Sequence, residues 1–288
     1  MTRRITTQQA QAVTNGLGIQ SGGYVNFPTS GFPNPITPVS SVSSVAFTFQ
    51  KPLLAEAFKP KRAGKNTSHI IFVLDDSGSM QSCRAATISG YNEYLQAQKK
   101  DAVETGISTF VSLYKFDGSS VNSVFSRVAA DEVKDLDEAS YNPQGTTNLY
   151  DAIGGVMMQI NSQLAANKKA DRDSVIITIL TDGHENASRT FSNNIIKQMV
   201  EKAEGKNWGF MFLGANIDAF AAGGSLGFNI NNTMQYDTHS MGNTMRSASA
   251  MTSRMKSAYA SGMDTGMMYT SAAFTDEERT SAVSKDDK

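Results

Sequence analysis

Cysteine is almost missing from this sequence: Cys83 is the only one in 288 residues. That excludes an intramolecular disulfide framework and a zinc site built from several thiolates. Long hydrophobic runs are missing too. The most apolar stretches, around IIFVL and VIITIL, fall far short of the roughly 20 residues that span a bilayer. The start, MTRRITTQQAQAVTNG, holds two arginines but no apolar stretch of the kind a secretory signal needs. Nor is there an excess of charge of either sign. With 26 basic and 27 acidic residues the net charge is −1, so nothing in the overall balance favours nucleic acid or an anionic membrane. The expectation is a soluble, cytoplasmic protein. What is present, 40% apolar residues over 288 positions, suffices for a sizeable core.

Proline is nearly absent beyond residue 60. Six of the seven prolines (Pro28, Pro33, Pro35, Pro38, Pro52 and Pro60) lie within the first sixty residues. Residues 1–68 carry seven basic side chains against the single acid Glu56, net +6, while the remaining 220 residues are net −7. This first segment is rich in Gly, Ser, Thr and Gln, without a sustained helical period. It buries too little to offset its ordering entropy, and reads as a basic arm or linker. Within it, VAFTFQ at 45–50 alternates as an edge strand would.

From His69 the pattern changes. HIIFVL (69–74), SVIITIL (174–180) and WGFMFL (208–213) are short apolar runs of the kind found in strands buried on both faces. ISTFVSLYKF (107–116) and SSVNSVFSRV (119–128) flank Asp117-Gly118, a hairpin signal. Helical spacing relates Ile88, Tyr91 and Leu95. It recurs in Leu149, Ile153, Val156, Met157, Ile160 and Leu164, in Ile195, Ile196, Met199, Val200 and Ala203, and in Met241, Met245, Ala248 and Met255. Strands alternating with helices predict an α/β fold: a doubly wound, mostly parallel sheet flanked by helices, preceded by an extended N-terminal arm. The expected division is an arm at 1–68, the α/β domain at 69–270 and a flexible C-terminal tail at 271–288. TDEERTSAVSKDDK reads as frayed.

Ligands of such sheets bind where the strands end, beside the point at which strand order reverses. No G-x-G-x-x-G occurs there, which argues against a dinucleotide. Instead the first core strand delivers Asp75-Asp76-Ser77-Gly78-Ser79, a D-x-S-x-S pattern, and SVIITIL delivers Thr181-Asp182-Gly183. Between them Gly145-Thr146-Thr147-Asn148 opens the most amphipathic helix. Taken singly, each piece is an ordinary turn or helix cap. Together they offer only oxygen, with no sulfur or imidazole, and oxygen-only sets select a hard divalent cation, Mg²⁺ ahead of Ca²⁺.

These motifs resemble those of the von Willebrand factor A domains and their metal-ion-dependent adhesion site, over roughly residues 69–270. The family's D-x-S-x-S falls on Asp75, Ser77 and Ser79. Its threonine falls on Thr147, in GTTNLYDAI, with Thr146 the neighbouring alternative, and its last aspartate falls on Asp182. The resemblance implies that Ser77, Ser79 and Thr147 bind Mg²⁺ through hydroxyls (Ca²⁺ or Mn²⁺ being alternatives), while Asp75 and Asp182 act largely through water. A coordination position is then left for an Asp or Glu carboxylate from a partner protein. TDGHENAS and FLGANIDA also resemble bacterial and phage-encoded members of the family. The expectation is a non-catalytic Mg²⁺-dependent protein-binding module, without nucleic-acid or membrane partners. The alternatives are a structural or assembly protein, for example in a virion, that makes its contacts through the arm, and an adaptor for an AAA-type ATPase.

Other residues read as structural. Asp76 is expected to point away from the site as a rim charge. Asp151 should complement the dipole of its helix, with a contact behind the site as the alternative. His184 and Glu185 are expected on the rim, Cys83 as a packed thiol, and the late methionines as a core stripe. Gly223-Gly224-Ser225-Leu226-Gly227 matches the G-x-S-x-G of hydrolases, with Asp237 and His239 following. Its glycines follow the helix-like DAFAA, however, and so read as a helix end.

Overall fold

The computed structural model describes residues 67–165, 173–206 and 208–283. The basic arm, with VAFTFQ, lies outside these residues apart from Thr67 and Ser68, which already belong to the first strand.

Six strands form one sheet: β1 (Thr67–Asp75), β2 (Ser108–Phe116), β3 (Val121–Ala129), β4 (Ser174–Thr181), β5 (Trp208–Gly214) and β6 (Thr233–Gln235). Their order is β3-β2-β1-β4-β5-β6, and only β3 runs antiparallel to its neighbour. β1 and β4, whose side chains are buried throughout, pair with Leu74 opposite Leu180. From β1 the chain first builds outward through β2 and β3, then crosses back to add β4, β5 and β6 on the other side. The strand order therefore reverses between β1 and β4, and a crevice opens at their carboxyl ends.

Alternation along the strands divides the core into two layers. Ile70, Phe72 and Leu74 point to one face, where α1 (Arg84–Thr105) and α5 (Met241–Ala260) cover them. Phe72 lies edge-on to Tyr91 and Tyr94 of α1. Met241, Met245, Ala248 and Met255 form the buried stripe of α5 expected from their spacing, and Met251 is buried with them. Ile71 and Val73 point the other way, toward α2 (Leu149–Ala165) and α3 (Asn193–Glu204). In α3, Ile196, Met199, Val200 and Ala203 are buried, while Ile195 stays partly exposed.

The hairpin at Asp117-Gly118 forms as expected. The Asp117 carboxylate accepts the amides of Ser119 and Ser120, which sets the turn. Farther along, the β2–β3 register shifts around Leu113, and Arg127 adopts φ 54° with its amide on the Ser112 hydroxyl.

The C-terminal segment differs from the expectation of a flexible tail. After α4 (Ala219–Ser225) and α5 come α6 (Thr265–Ser271) and α7 (Asp276–Val283). α7 buries little apolar surface beyond Ala282. Polar contacts hold it: Arg279 donates to the carbonyls of Thr233, Ile230 and Asn231 while its guanidinium lies over the rings of Phe220 and Phe274. Glu278 is gripped at both carboxylate oxygens by Arg254 of α5. Periodicity does not register a helix of this kind, because its apolar face is nearly absent.

Candidate metal centre

Asp75 ends β1 and is fully buried. One carboxylate oxygen accepts the Ser77 amide at 2.8 Å and the other accepts the Thr181 hydroxyl at 2.5 Å. The first contact folds the loop so that the Ser77 and Ser79 hydroxyls lie 3.2 Å apart. Ser79 donates in turn to Asp182, just beyond β4, at 2.5 Å.

The loop before α2 is stitched to the first one by the main chain, with Gln144 N–H on the Asp76 carbonyl and Gly78 N–H on that of Gly145. Gly183 locates Thr147: a Cβ built on that glycine would lie 3.3 Å from the Thr147 hydroxyl oxygen and 3.7 Å from that of Ser79. Both hydroxyls thus flank one small space that a side chain at 183 would enter. Thr146 is directed elsewhere, since its hydroxyl oxygen lies 1.7 Å from where a Cβ on Gly118 would be, over the hairpin turn. Of the two threonines, 147 is the one that faces Ser79.

Burial pushes the Asp75 carboxyl up to about 6, against the lowering effect of its Thr181 and Ser77 hydrogen bonds, with the neighbouring Asp182 adding to the rise. Asp182 is also raised, again chiefly by burial and against its bond from Ser79. Two acids made costly to ionise by their burial favour a nearby cation. The donor set fits a hard divalent ion: hydroxyls from Ser77, Ser79 and Thr147, carboxylates from Asp75 and Asp182, and no softer ligand. Among the described residues no cluster of three or more His, Cys, Asp or Glu offers a different kind of metal site.

No family model and no curated protein sequence matches this chain. Among solved structures it is similar to proximal thread matrix protein 1 from the mussel byssus, at 15% identity and TM-score 0.44, covering 68% of this chain and 47% of that one. It is similar to the pilus adhesin SpaC of Lactobacillus rhamnosus GG at 13% identity and TM-score 0.46, covering 66% and 30%. A third is the manganese-loaded TRAP protein of Plasmodium vivax, at 15% identity and TM-score 0.41, covering 62% and 71%. The chain spans less than half the length of the mussel and Lactobacillus chains.

Several neighbours play parts that sequence patterns did not reveal. Thr181 reads in the sequence only as part of the Thr181-Asp182-Gly183 motif, yet it ends β4, and its hydroxyl holds Asp75 and accepts the Gly183 amide at 3.2 Å. Beneath the site, Tyr141 donates to the Asp75 carbonyl and Tyr236 to that of Thr181. Asp76 does turn aside, but it is largely buried rather than an open rim charge: Lys115 pairs with it at 2.7 Å. Burial raises its carboxyl, with Lys115 opposing.

Asp151 lies in the first turn of its helix, as expected, and also makes the alternative contact behind the site, whereas Glu185 differs from expectation. Asp151 is buried and accepts the amides of Arg189, Thr190 and Phe191, which anchors the loop after β4. Glu185, expected on the rim, folds its own loop through Ala187 and Ser188 and reaches the Tyr150 amide in the first turn of α2. His184 is exposed. Cys83 is buried, its thiol on the Met80 carbonyl. Ser225 closes α4, donating to the Ala222 carbonyl and accepting from Asn193, as the helix-end reading of its motif predicts. Asp237 and His239 bind each other. Among the described residues no helix is long and apolar enough to cross a membrane.

Proposed function

We propose that this chain is a von Willebrand A-like protein-binding module that acts without catalysis through a divalent cation, Mg²⁺ ahead of Mn²⁺ or Ca²⁺. Ser77, Ser79 and Thr147 would hold the ion through hydroxyls, with Asp75 and Asp182 balancing its charge. When bound, the ion supplies a Lewis-acidic position for a carboxylate from an Asp or Glu of a partner protein. The residues themselves do the preparatory work. Asp75 shapes the first loop, Thr181 holds Asp75, and Gly183 leaves the space beside Thr147 and Ser79 clear.

One observation carries this reading. Three loops far apart in sequence bring an oxygen-only set to the strand ends where the sheet order reverses, with Ser79 on Asp182 and the hydroxyls of Ser79 and Thr147 around one space. The test is calorimetric titration of the full chain with MgCl₂ and MnCl₂, followed by titration of the loaded protein with a Glu-containing peptide. Expected are metal binding in the wild type, none in Asp182→Ala, and peptide binding that EDTA removes. Metal affinity equal in the two proteins would overturn the site. Peptide binding that persists in EDTA would overturn the carboxylate role.

A further inference from the structure

The loop after β4 and the N-terminal turn of α2 exchange side chains. Glu185, from the loop, accepts the Tyr150 amide of the helix at 3.0 Å. Asp151, from the helix, accepts the Arg189, Thr190 and Phe191 amides of the loop at 2.9, 2.9 and 2.8 Å. Each carboxylate satisfies amides that would otherwise lack a partner, since the first turn of a helix and an irregular loop both have N–H groups to spare. Between these two anchors lies Asn186. Its side-chain oxygen accepts the Thr147 amide at 3.0 Å, and its own amide donates to the Thr147 carbonyl at 3.1 Å, beside that of Ala187 at 3.1 Å.

Both main-chain polar groups of Thr147 are therefore taken up by one dipeptide of a different loop. That fixes the peptide planes on either side of the residue, and with them the direction of its side chain. The Thr147 hydroxyl is left facing Gly183 and Ser79. Asn186 is itself exposed, so its hydrogen bond to Thr147 is no by-product of core packing.

We infer that Asn186 is the positioning residue of the metal centre, setting the Thr147 hydroxyl beside Gly183 and Ser79, and that the Glu185–Asp151 exchange holds Asn186 in place. This rests on the metal-binding reading of the site. Residues that orient a metal ligand from behind typically change affinity by about 10–100-fold when removed. Asn186→Ala deletes the acceptor for the Thr147 amide without emptying any core volume. Asn186→Asp keeps an acceptor oxygen at the same place.

The experiment titrates Mn²⁺ into the full-length wild type and both variants, and follows tryptic cleavage at the exposed Arg189 in metal-free protein. Asn186→Ala should bind Mn²⁺ at least tenfold more weakly, be cut faster at Arg189 and melt within a few degrees of the wild type. Asn186→Asp should restore both affinity and resistance. If the wild type binds Mn²⁺ and Asn186→Ala binds it equally well, the positioning role is overturned while the metal centre stands. A loss of affinity that Asn186→Asp does not restore would also overturn it. If the wild type binds no Mn²⁺, the metal centre falls and this role falls with it.

Discussion

The hydroxyl of Thr181 donates to the carboxylate of Asp75 across 2.5 Å, joining residues 106 positions apart. Both are buried, and the same oxygen of Thr181 accepts the Gly183 amide. Thr181→Val keeps the shape and removes both contacts, leaving a buried acceptor and a donor short of partners. Such a loss costs about 1–3 kcal/mol. Chemical denaturation of the metal-free protein should show that cost for Thr181→Val and little of it for Thr181→Ser.

Gly183→Ala tests the space beside Thr147. Its methyl group would press on the Thr147 hydroxyl at 3.3 Å and approach that of Ser79 at 3.7 Å. The expected result is a melting temperature close to wild type with metal affinity reduced on the order of tenfold. Calorimetric titration and thermal melting, run on one preparation, separate the two effects.

A third prediction concerns pH. His69 is buried at the start of β1, stacked on Phe110 and bonded to Asp173 at 3.1 Å. Burial lowers its pKa below the ordinary 6.5, against the raising effect of Asp173. Below 6.5 the unfolded chain therefore binds a proton that the folded one resists. The stability this group confers is complete above pH 6.5 and declines as the pH falls from there toward the folded pKa. Urea unfolding between pH 5 and 8 should show this decline in the wild type and a shallower one in His69→Gln.

Lys256 gives a fourth. It is buried in α5, bonded to Asp101 and Gln98 of α1, and burial lowers its pKa. Removing one member of a buried pair strands the other, so Lys256→Met should cost about 3 kcal/mol. Adding Asp101→Asn should recover much of this, giving a double-mutant cycle with a coupling of about 1 kcal/mol or more in urea unfolding. Additive costs would show that the pair contributes nothing of its own.

These contacts also mark how far the sequence could be read. β1, β4 and β5 were legible because strands buried on both faces must be apolar throughout, and few other segments are. The hairpin was legible because Asp117 supplies its own turn. Asp75, Ser77, Ser79, Thr147 and Asp182 stand out as a set because they resemble a family motif in order as well as in residue type, and that resemblance favours Thr147 over Thr146. The role of Thr181 was not legible, because the carboxylate its hydroxyl holds lies 106 positions away in the sequence. Asn186 and Glu185 act on main-chain groups, which carry no residue identity and so leave no pattern. α7 escaped for the same reason: Arg279 binds carbonyls.

The margins of the sheet carry a consequence for crowded conditions. A long, even outer strand is a template on which another chain can lengthen the sheet. Here the β3 margin is broken by register shifts and by the turned backbone of Arg127. The opposite margin, β6, is three residues long, and Arg279 clasps α7 to it. Irregularity on one side and a helical clasp on the other guard the described domain against stacking edge to edge with its own copies. Loosening the clasp with Arg279→Ala would expose β6, and aggregation would start from that side.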